Sequence, residues 1–220
     1  MPSSDTWMTK IFDINCRQCP RLATFLAQVA ARNPGYYCRP VPPFGDQKAR
    51  LLIVGLAPGM HGANRTGRPF TGDYAGVLLY QTLHKYGFAS QAESLAADDT
   101  LTLIDCRITN AVKCLPPDNK PVGAEVNTCN EFLANELRTL PAGAVVLALG
   151  GIAHRAIVKA VAGRQADFKF GHAAEHEVEG RFLILDSYHC SRYNTNTGRL
   201  TVEMFHNVFA RARELLPQAN

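Results

Sequence analysis

Two pairs of cysteines in this chain have the residue type and spacing of metal ligands. Cys16 and Cys19 form a Cys-Arg-Gln-Cys segment, and Cys114 and Cys129 follow about a hundred residues later. If the pairs converge, four soft thiolates would surround one inorganic centre. Zinc accepts the same four ligands, so the spacing leaves zinc and an iron–sulfur cluster open. Four unrelated buried thiols are the third interpretation.

The remaining cysteine usage favours a reducing compartment. The chain has seven cysteines, an odd number, and Met1–Asp5 do not resemble the start of a signal segment. We therefore expect a cytoplasmic protein without disulfides, in which Cys-x-x-Cys indicates metal or redox chemistry. A thioredoxin-like redox pair is disfavoured because Cys16 and Cys19 precede the first predicted strand. The other cysteines are interpreted as ordinary small residues: Cys38, Cys106 and Cys190.

Length and composition are typical of a single globular domain. The chain has 220 residues, of which 46% are hydrophobic, and we predict one domain over residues 1–220. Its formal net charge of +4 permits a polyanionic partner without requiring one. No run of about 18 apolar residues occurs, so no membrane-spanning helix is expected.

The elements that must position any site alternate between strand and helix patterns. Continuous apolar runs predict buried strands, which is typical of a parallel sheet covered on both faces. With right-handed crossovers, this order predicts an α/β fold, a three-layer α/β/α sandwich around a mainly parallel four-stranded sheet. The predicted strands are 51–56, 101–108, 144–149 and 182–186, and the predicted helices are 21–32, 75–86, 124–139, 152–161 and 200–216.

Polar and glycine-rich segments follow three of these strands. In open parallel sheets, ligands bind beyond the carboxyl ends of the strands. We therefore expect the segment after the first strand, Asn110 after the second and His189 after the fourth to converge on one crevice. The first segment lacks the Gly-Lys-Ser/Thr ending of a P-loop, so nucleoside-triphosphate binding is not predicted.

Individual residues of these segments each permit a structural interpretation beside a functional one. Phe70 offers an aromatic face for stacking but could equally anchor the loop in the core. His189 could be a strand-end residue bonded to the backbone. Asp73 could be a helix N-cap, because a helical pattern starts immediately after it.

Three long segments resemble the signature motifs of a known family. The first reads Gly-Leu-Ala-Pro-Gly and continues, from His61, as His-Gly-Ala-Asn-Arg-Thr-Gly-Arg-Pro-Phe-Thr-Gly-Asp. The second reads Thr-Asn-Ala-Val-Lys-Cys-Leu-Pro-Pro-Asp-Asn-Lys-Pro, and the third Tyr-His-Cys-Ser-Arg-Tyr-Asn-Thr-Asn-Thr-Gly-Arg. In this order they are similar to the motifs of uracil-DNA glycosylases, specifically the family five, or type B, branch. The resemblance extends from Cys16 to about Leu216.

The resemblance implies a fold, a cofactor and a partner. It implies the glycosylase α/β/α fold and a 4Fe–4S cluster, which resolves the metal question towards iron. It also implies a monomeric, prokaryotic, cytoplasmic enzyme that starts base excision repair on DNA containing uracil or other deaminated bases, such as hypoxanthine. The implied cluster ligands are Cys16, Cys19, Cys114 and Cys129.

Cleavage of a glycosidic bond defines what the site residues must do. Positive charge develops on the sugar and negative charge on the departing base, so the enzyme needs an anion near one and donors near the other. We assign the leaving-group donor to His189 and the carboxylate to Asp73, because Leu56-Ala57-Pro58 carries no polar side chain. Asn119 is the third catalytic candidate. The expected base-binding residues are Gly55, Ala57, Gly59, His61, Phe70 and Asn110.

Contacts to DNA are expected from loops rather than from one basic groove. Ser191, Arg192 and Tyr193 could enter the minor groove as a wedge that fills the place of the flipped base. Each cation could instead be a solvated surface charge. The expected phosphate contacts come from Asn64, Arg65, Arg68 and Lys120.

Other functions fit parts of the same pattern. A non-catalytic iron–sulfur DNA-binding protein would keep the four cysteines and tolerate loss of Asp73 and His189. A related glycosylase class forms a covalent adduct through a histidine in an extra loop, but no extra basic insertion is evident after the first motif. A zinc-dependent nucleotide hydrolase would be colourless, whereas a 4Fe–4S protein is brown.

Overall fold

The computed structural model describes residues 10–216 of the chain. Met1–Asp5, on which the prediction of a missing signal segment depends, lie outside these residues. Within them, no helix combines the length and apolar character that a bilayer crossing requires.

A six-stranded sheet forms the centre of the molecule, in the order β1-β3-β2-β4-β6-β5. The four inner strands run parallel, and the two short edge strands, β1 and β5, pair antiparallel. The strands are β1 (Phe44–Gly45), β2 (Leu51–Gly55), β3 (Cys106–Asn110), β4 (Ala144–Leu149), β5 (Glu175–Val178) and β6 (Phe182–Ser187).

Helices cover both faces of this sheet. The helices are α1 (Pro20–Arg32), α2 (Ala63–Thr66), α3 (Tyr74–Lys85), α4 (Gly123–Arg138), α5 (Gly151–Ala160), α6 (Arg192–Asn196) and α7 (Val202–Leu215). One core lies between the sheet and α3 with α7, and a second lies between the sheet and α4 with α5.

The apolar runs of the strands explain this layering. Along β2, Leu51 and Ile53 enter the first core, whereas Leu52 and Val54 enter the second. Because successive side chains of a strand point to opposite faces, a strand buried on both sides must be apolar throughout. The predicted α/β/α sandwich is confirmed.

The sheet differs from its prediction in two details. It has six strands rather than four, because edge strands of two and four residues give almost no apolar pattern. The second predicted strand also starts later, at Cys106 rather than at residue 101. The chain turns before it, where Asp105 takes a left-handed backbone conformation with φ of 50°.

The order of the strands brings the chemically rich segments to one edge. The parallel strands β3, β2, β4 and β6 are neighbours, so their carboxyl ends lie side by side. In the register of β2 and β3, Gly55 lies opposite Asn110. His189 follows β6 by two residues, at the same edge.

Helix α1 lies beside the second cysteine pair. Cys19 is its N-cap, and Pro20 takes the first helical position, where a missing N–H is tolerated. The Arg21 guanidinium donates to both carboxylate oxygens of Glu125, at 2.7 and 2.8 Å. This ion pair joins α1 to the first turn of α4. The same helix carries Cys129 further along.

A buried charge network joins β3 to α4. The Glu136 carboxylate accepts a hydrogen bond from the Arg107 guanidinium at 2.6 Å and lies 3.5 Å from Lys113 Nζ. Lys113 also donates to the main-chain carbonyl of Asn110 at 2.9 Å. All three charged side chains are at least nine-tenths buried, so each depends on the others for compensation.

We expect Glu136→Ala to destabilise the fold by about 3–5 kcal/mol, because it leaves Arg107 and Lys113 buried without a counter-charge. Urea unfolding followed by circular dichroism would show a lower midpoint than that of the exposed-site control Glu177→Ala. Equal midpoints for the two variants would show that the network contributes nothing net.

Candidate active site

A cavity of about 340 Å³ opens at the carboxyl edge of the sheet, within the size range of small-ligand sites. It is bounded by the segments that follow β2, β3 and β6. Nine of the residues predicted to act on base or DNA line it: Ala57, Gly59, Phe70, Asp73, Asn110, Asn119, His189, Ser191 and Arg192.

The Asp73 carboxylate lies against the glycines of the first segment. A Cβ placed on Gly62 would be 1.9 Å from Asp73 Cγ, and one on Gly59 would be 2.7 Å from its Oδ1. Asp73 occupies the N-cap position of α3, yet its side chain makes no capping bond. It accepts instead from the Ala63 N–H, at 3.4 Å. Burial raises the pKa of this carboxyl group.

The His189 imidazole lines the same cavity. Neither ring nitrogen bonds to another residue within the described part of the chain, so both are free to meet a ligand. Burial lowers the pKa of His189 to about 4, and the ring is therefore neutral at physiological pH. The Asn194 side-chain amide donates to the His189 carbonyl at 2.8 Å, which fixes the backbone that carries the ring.

Phe70 and Asn110 pack together over Gly55. A Cβ on Gly55 would be 2.4 Å from Asn110 Oδ1 and 2.8 Å from the Phe70 ring, so only glycine leaves room for both. Phe70 itself has a left-handed backbone with φ of 59°. Its ring lies 6.1 Å from that of His189, with 29° between the planes.

Asn119 reaches the cavity from a short 3-10 helix, Pro117–Asn119. Asp118 and Asn119 both have left-handed backbones, with φ of 53° and 56°. Asn119 is exposed at the mouth of the cavity, whereas Asn110 is only 3% exposed at its floor. The two amides thus differ in depth.

Three predicted contacts are corrected by the structure. Asn64 is completely buried and donates to Cys38 Sγ, so it cannot reach a phosphate. Arg68 is buried in an ion pair with Asp99 at 2.5 Å, so its predicted DNA contact is also wrong. His61 is exposed outside the lining of the cavity, with its Nδ1 2.9 Å from the Tyr36 hydroxyl, and is not placed to bind a base.

The remaining predicted DNA contacts lie at the surface. Arg65, Lys120 and Arg192 are exposed, and Ser191 is half-buried as the N-cap of α6. Tyr193, in the first turn of α6, is 72% exposed.

Sequence reasoning passed over the segment that follows the third parallel strand. Gly150 and Gly151, with Arg199, border a cavity of about 260 Å³ on another side of His189. Two glycines directly between a predicted strand and a predicted helix were the signal for it. Tyr74, the residue after Asp73, was also missed, although it lines the main cavity.

A buried contact between His154 and Asp186 joins α5 to β6. The His154 Nδ1 lies 2.8 Å from Asp186, and its Nε2 lies 2.9 Å from the Phe168 carbonyl oxygen. Burial alone would lower the pKa of His154, but these two acceptors raise it overall. Because both ring nitrogens face acceptors, the ring is suited to the protonated form, paired with Asp186 three residues before His189.

The four cysteines of the predicted ligand shell line one apolar pocket, together with Leu22, Val112 and Phe132. All four are free thiols. Burial and the neighbouring thiols raise the pKa of Cys114 to about 12, and burial raises that of Cys129. Thiols in such a place ionise only when a cationic centre compensates them.

Comparison with known proteins places the fold and the cavity in a family. A family model described as the uracil DNA glycosylase superfamily matches residues 42–213, which include all three motif segments. The chain belongs to the uracil-DNA glycosylase superfamily.

Individual relatives indicate the branch. The chain is 47% identical over 205 residues to a type-5 uracil-DNA glycosylase of Thermus thermophilus, covering 91% of this chain and 93% of the relative. A type-5 enzyme of Pyrobaculum aerophilum is 42% identical over 203 residues, covering 90% and 88%. A type-4 enzyme of that organism is 31% identical over 181 residues, covering 82% and 77%. The resemblance to the fifth type is confirmed.

We expect His189 to remain neutral well below the pH at which an ordinary histidine is charged, about 6.5. Nitrogen-15 NMR of histidine-labelled protein should show a neutral His189 ring at pH 5.5, because burial disfavours the imidazolium. His189→Gln identifies the signal. Half-protonation near pH 6.5 would show that the ring is solvated and that its pKa is not lowered.

Proposed function

We propose that this protein is a monofunctional uracil-DNA glycosylase, which hydrolyses the bond between a flipped uracil and its deoxyribose. One observation supports the proposal above the others. A half-buried carboxylate, a neutral imidazole, two amides and an aromatic ring line a single cavity. These groups are what glycosidic cleavage requires, and the relatives named type-5 uracil-DNA glycosylase share nearly the whole chain.

His189 is the proposed donor to the leaving uracil. As the bond breaks, negative charge develops on the base, and a hydrogen bond from the neutral imidazole stabilises it. The interaction is strongest in the transition state, so it accelerates the reaction instead of only improving binding.

Asp73 is the proposed anion on the sugar side. Its carboxylate stabilises positive charge on the deoxyribose and orients the attacking water. Burial favours this role, because an anion with little solvent around it interacts more strongly with a nearby cation. The raised pKa also makes it a better proton acceptor for the water.

Phe70 and the two asparagines are proposed to select the base. The Phe70 ring supplies the stacking face, and the buried Asn110 amide reads the Watson–Crick edge of uracil. Asn119, at the mouth of the cavity, is the third proposed catalytic residue and contacts the nucleotide near the bond that is cleaved. The backbone at Ala57 and Gly59 lies close enough to contact the ligand.

Contacts to the DNA strand are assigned to the rim of the cavity. Arg65 and Lys120 contact phosphates, while Ser191, Arg192 and the exposed Tyr193 fill the gap left by the flipped nucleotide. The N-terminus of α5 and Arg199 offer a further phosphate contact beside His189. The enzyme is proposed to act as a monomer in a prokaryotic cytoplasm.

The cysteine pocket is proposed to hold a 4Fe–4S cluster through Cys16, Cys19, Cys114 and Cys129. The four cysteines around one apolar pocket support a four-thiolate centre, and the family resemblance of the motif segments favours an iron–sulfur cluster over zinc. When bound, the cluster ties the N-terminus and α4 to the segment after β3. This segment connects Asn110 to Asn119. The proposed role of the cluster is therefore to hold these two asparagines in position, without taking part in the reaction.

Incubation with duplex DNA containing one uracil tests the proposed activity. Strand scission that appears only after alkali treatment would support a monofunctional glycosylase. Scission without alkali would indicate a lyase, and uncut DNA would support a non-catalytic DNA-binding protein instead.

We expect Gly62→Ala to lower single-turnover uracil excision by about 100-fold, because the new Cβ displaces the Asp73 carboxylate. Combining it with Asp73→Asn should cause little further loss. The control Gly35→Ala, where a Cβ would meet nothing within 4 Å, should excise normally. If the loss of excision rate in the double variant equals the combined losses of the two single variants, Gly62 does not act through Asp73.

We expect Cys16→Ala to give colourless, poorly soluble protein, because three thiolates cannot complete the shell that ties down the N-terminus. Visible absorbance and iron analysis measure the cofactor. Cys106→Ala, in the core of the sheet, should remain brown. A stable, iron-free Cys16→Ala protein with full activity would contradict a structural role for the cluster.

We propose that uracil is the best substrate and that hypoxanthine is excised more slowly. A site built on hydrogen bonds rejects bases that leave those bonds unmade, and Asn110 supplies such a bond at the floor. Asn110→Ala should therefore raise the ratio of hypoxanthine to uracil excision rates on otherwise identical duplexes. An unchanged ratio would remove Asn110 from base selection.

A further inference from the structure

A second cavity adjoins the candidate base cavity. It measures about 440 Å³ and shares three lining residues with the first: Asp73, Tyr74 and Arg192. Its other walls come from the exposed face of α3 and from residues 92–95 of the loop that follows it. The two cavities are therefore neighbours, with these three residues between or beside them.

Large apolar side chains line this second cavity and are unusually exposed. Leu95 is 69% exposed, Val77 58% and Tyr74 45%. Single exposed apolar residues are common, but three around one concavity that adjoins a ligand site indicate a binding surface.

The loop that carries Leu95 is held in place by buried polar contacts. Arg68 donates to Asp99 at 2.5 Å and to the Ala97 carbonyl at 2.6 Å. Asp99 in turn accepts from the main-chain N–H of Leu95 at 3.1 Å. The Leu95 side chain is thus presented to solvent by an ordered loop.

Charge at the second cavity favours an anionic strand. Arg65 and Arg192 border it, against one carboxylate besides Asp73, that of Glu93. The Arg192 guanidinium lies 4.8 Å from the centre of the Tyr74 ring, and the Tyr74 hydroxyl is 3.2 Å from Thr195 Oγ1. An aromatic ring, apolar side chains and arginines in one groove are the features that bind unpaired nucleotides.

We propose that this cavity binds the base of one nucleotide that flanks the target on the same strand, held unpaired while the target base occupies the first cavity. The inference rests on the proposed function. The flanking base packs against Val77, Leu95 and Tyr74, and Arg65 contacts the connecting phosphate. The substrate is therefore read as a dinucleotide, and single-stranded DNA, whose flanking base is already unpaired, binds without the cost of unpairing.

Binding of single-stranded 11-mers tests the proposal. The central residue is 2′-fluoro-deoxyuridine, because the electron-withdrawing fluorine opposes bond cleavage, and one flanking base at a time is replaced by an abasic spacer. Fluorescence anisotropy gives Kd for wild type, for Val77→Ala/Leu95→Ala, and for the control Ile104→Ala/Val202→Ala. The control residues are similarly exposed, at 49% and 54%, and border neither cavity.

A spacer on one side of the target should weaken wild-type binding about tenfold. The Val77/Leu95 variant should bind the complete strand about tenfold more weakly and lose nothing further with that spacer. The control should match wild type. The proposal is overturned if no spacer weakens wild-type binding, or if the spacer penalty persists in the Val77/Leu95 variant.

A separate measurement distinguishes this inference from the proposed function. At saturating enzyme, excision of ordinary deoxyuridine should be similar in wild type and in the Val77/Leu95 variant, because neither side chain lines the base cavity. Absence of excision by wild type would refute the proposed function, whereas the spacer measurements alone decide the nucleotide cavity.

Discussion

Partial burial at the carboxyl edge of the sheet sets the charge states of the two candidate catalytic side chains, His189 and Asp73. The same burial lowers the pKa of His189 and raises that of Asp73. It therefore gives one cavity both a neutral imidazole and a partly desolvated carboxylate, the two groups that the proposed cleavage of the bond between sugar and base uses. At the cysteine pocket, burial raises the thiol pKa values and makes a cationic centre necessary for ligation.

Close backbone approach is what permits this burial. Glycine at positions 59 and 62 leaves room for the Asp73 carboxylate, and Gly55 leaves room for Asn110 and Phe70. Buried charged side chains away from the cavity are paired with opposite charges in the interior. Arg68 with Asp99 orders one wall of the second cavity, and Glu136 holds Lys113 below the Asn110 carbonyl.

Much of the fold could be predicted because continuous apolar strands and periodic helices are strong signals. The inner strands and five long helices followed from them, whereas β1 and β5 were too short to leave a pattern.

The glycosylase motifs likewise identified most of the residues that line the cavity. The misassigned residues all lie inside the first motif segment: His61, Asn64 and Arg68. Residue type cannot tell a phosphate-binding arginine from one that closes a loop, because burial depends on partners such as Asp99, thirty-one positions away.

The proposed function depends most on a neutral His189 that stabilises the departing base. Its most direct test compares single-turnover excision with binding of uncleavable uracil DNA for His189→Ala, using His206→Ala as the control. We expect the excision rate of His189→Ala to be about 100–1,000-fold below wild type, with a dissociation constant almost unchanged. Excision near the wild-type rate, or a loss explained entirely by weaker DNA binding, would contradict it.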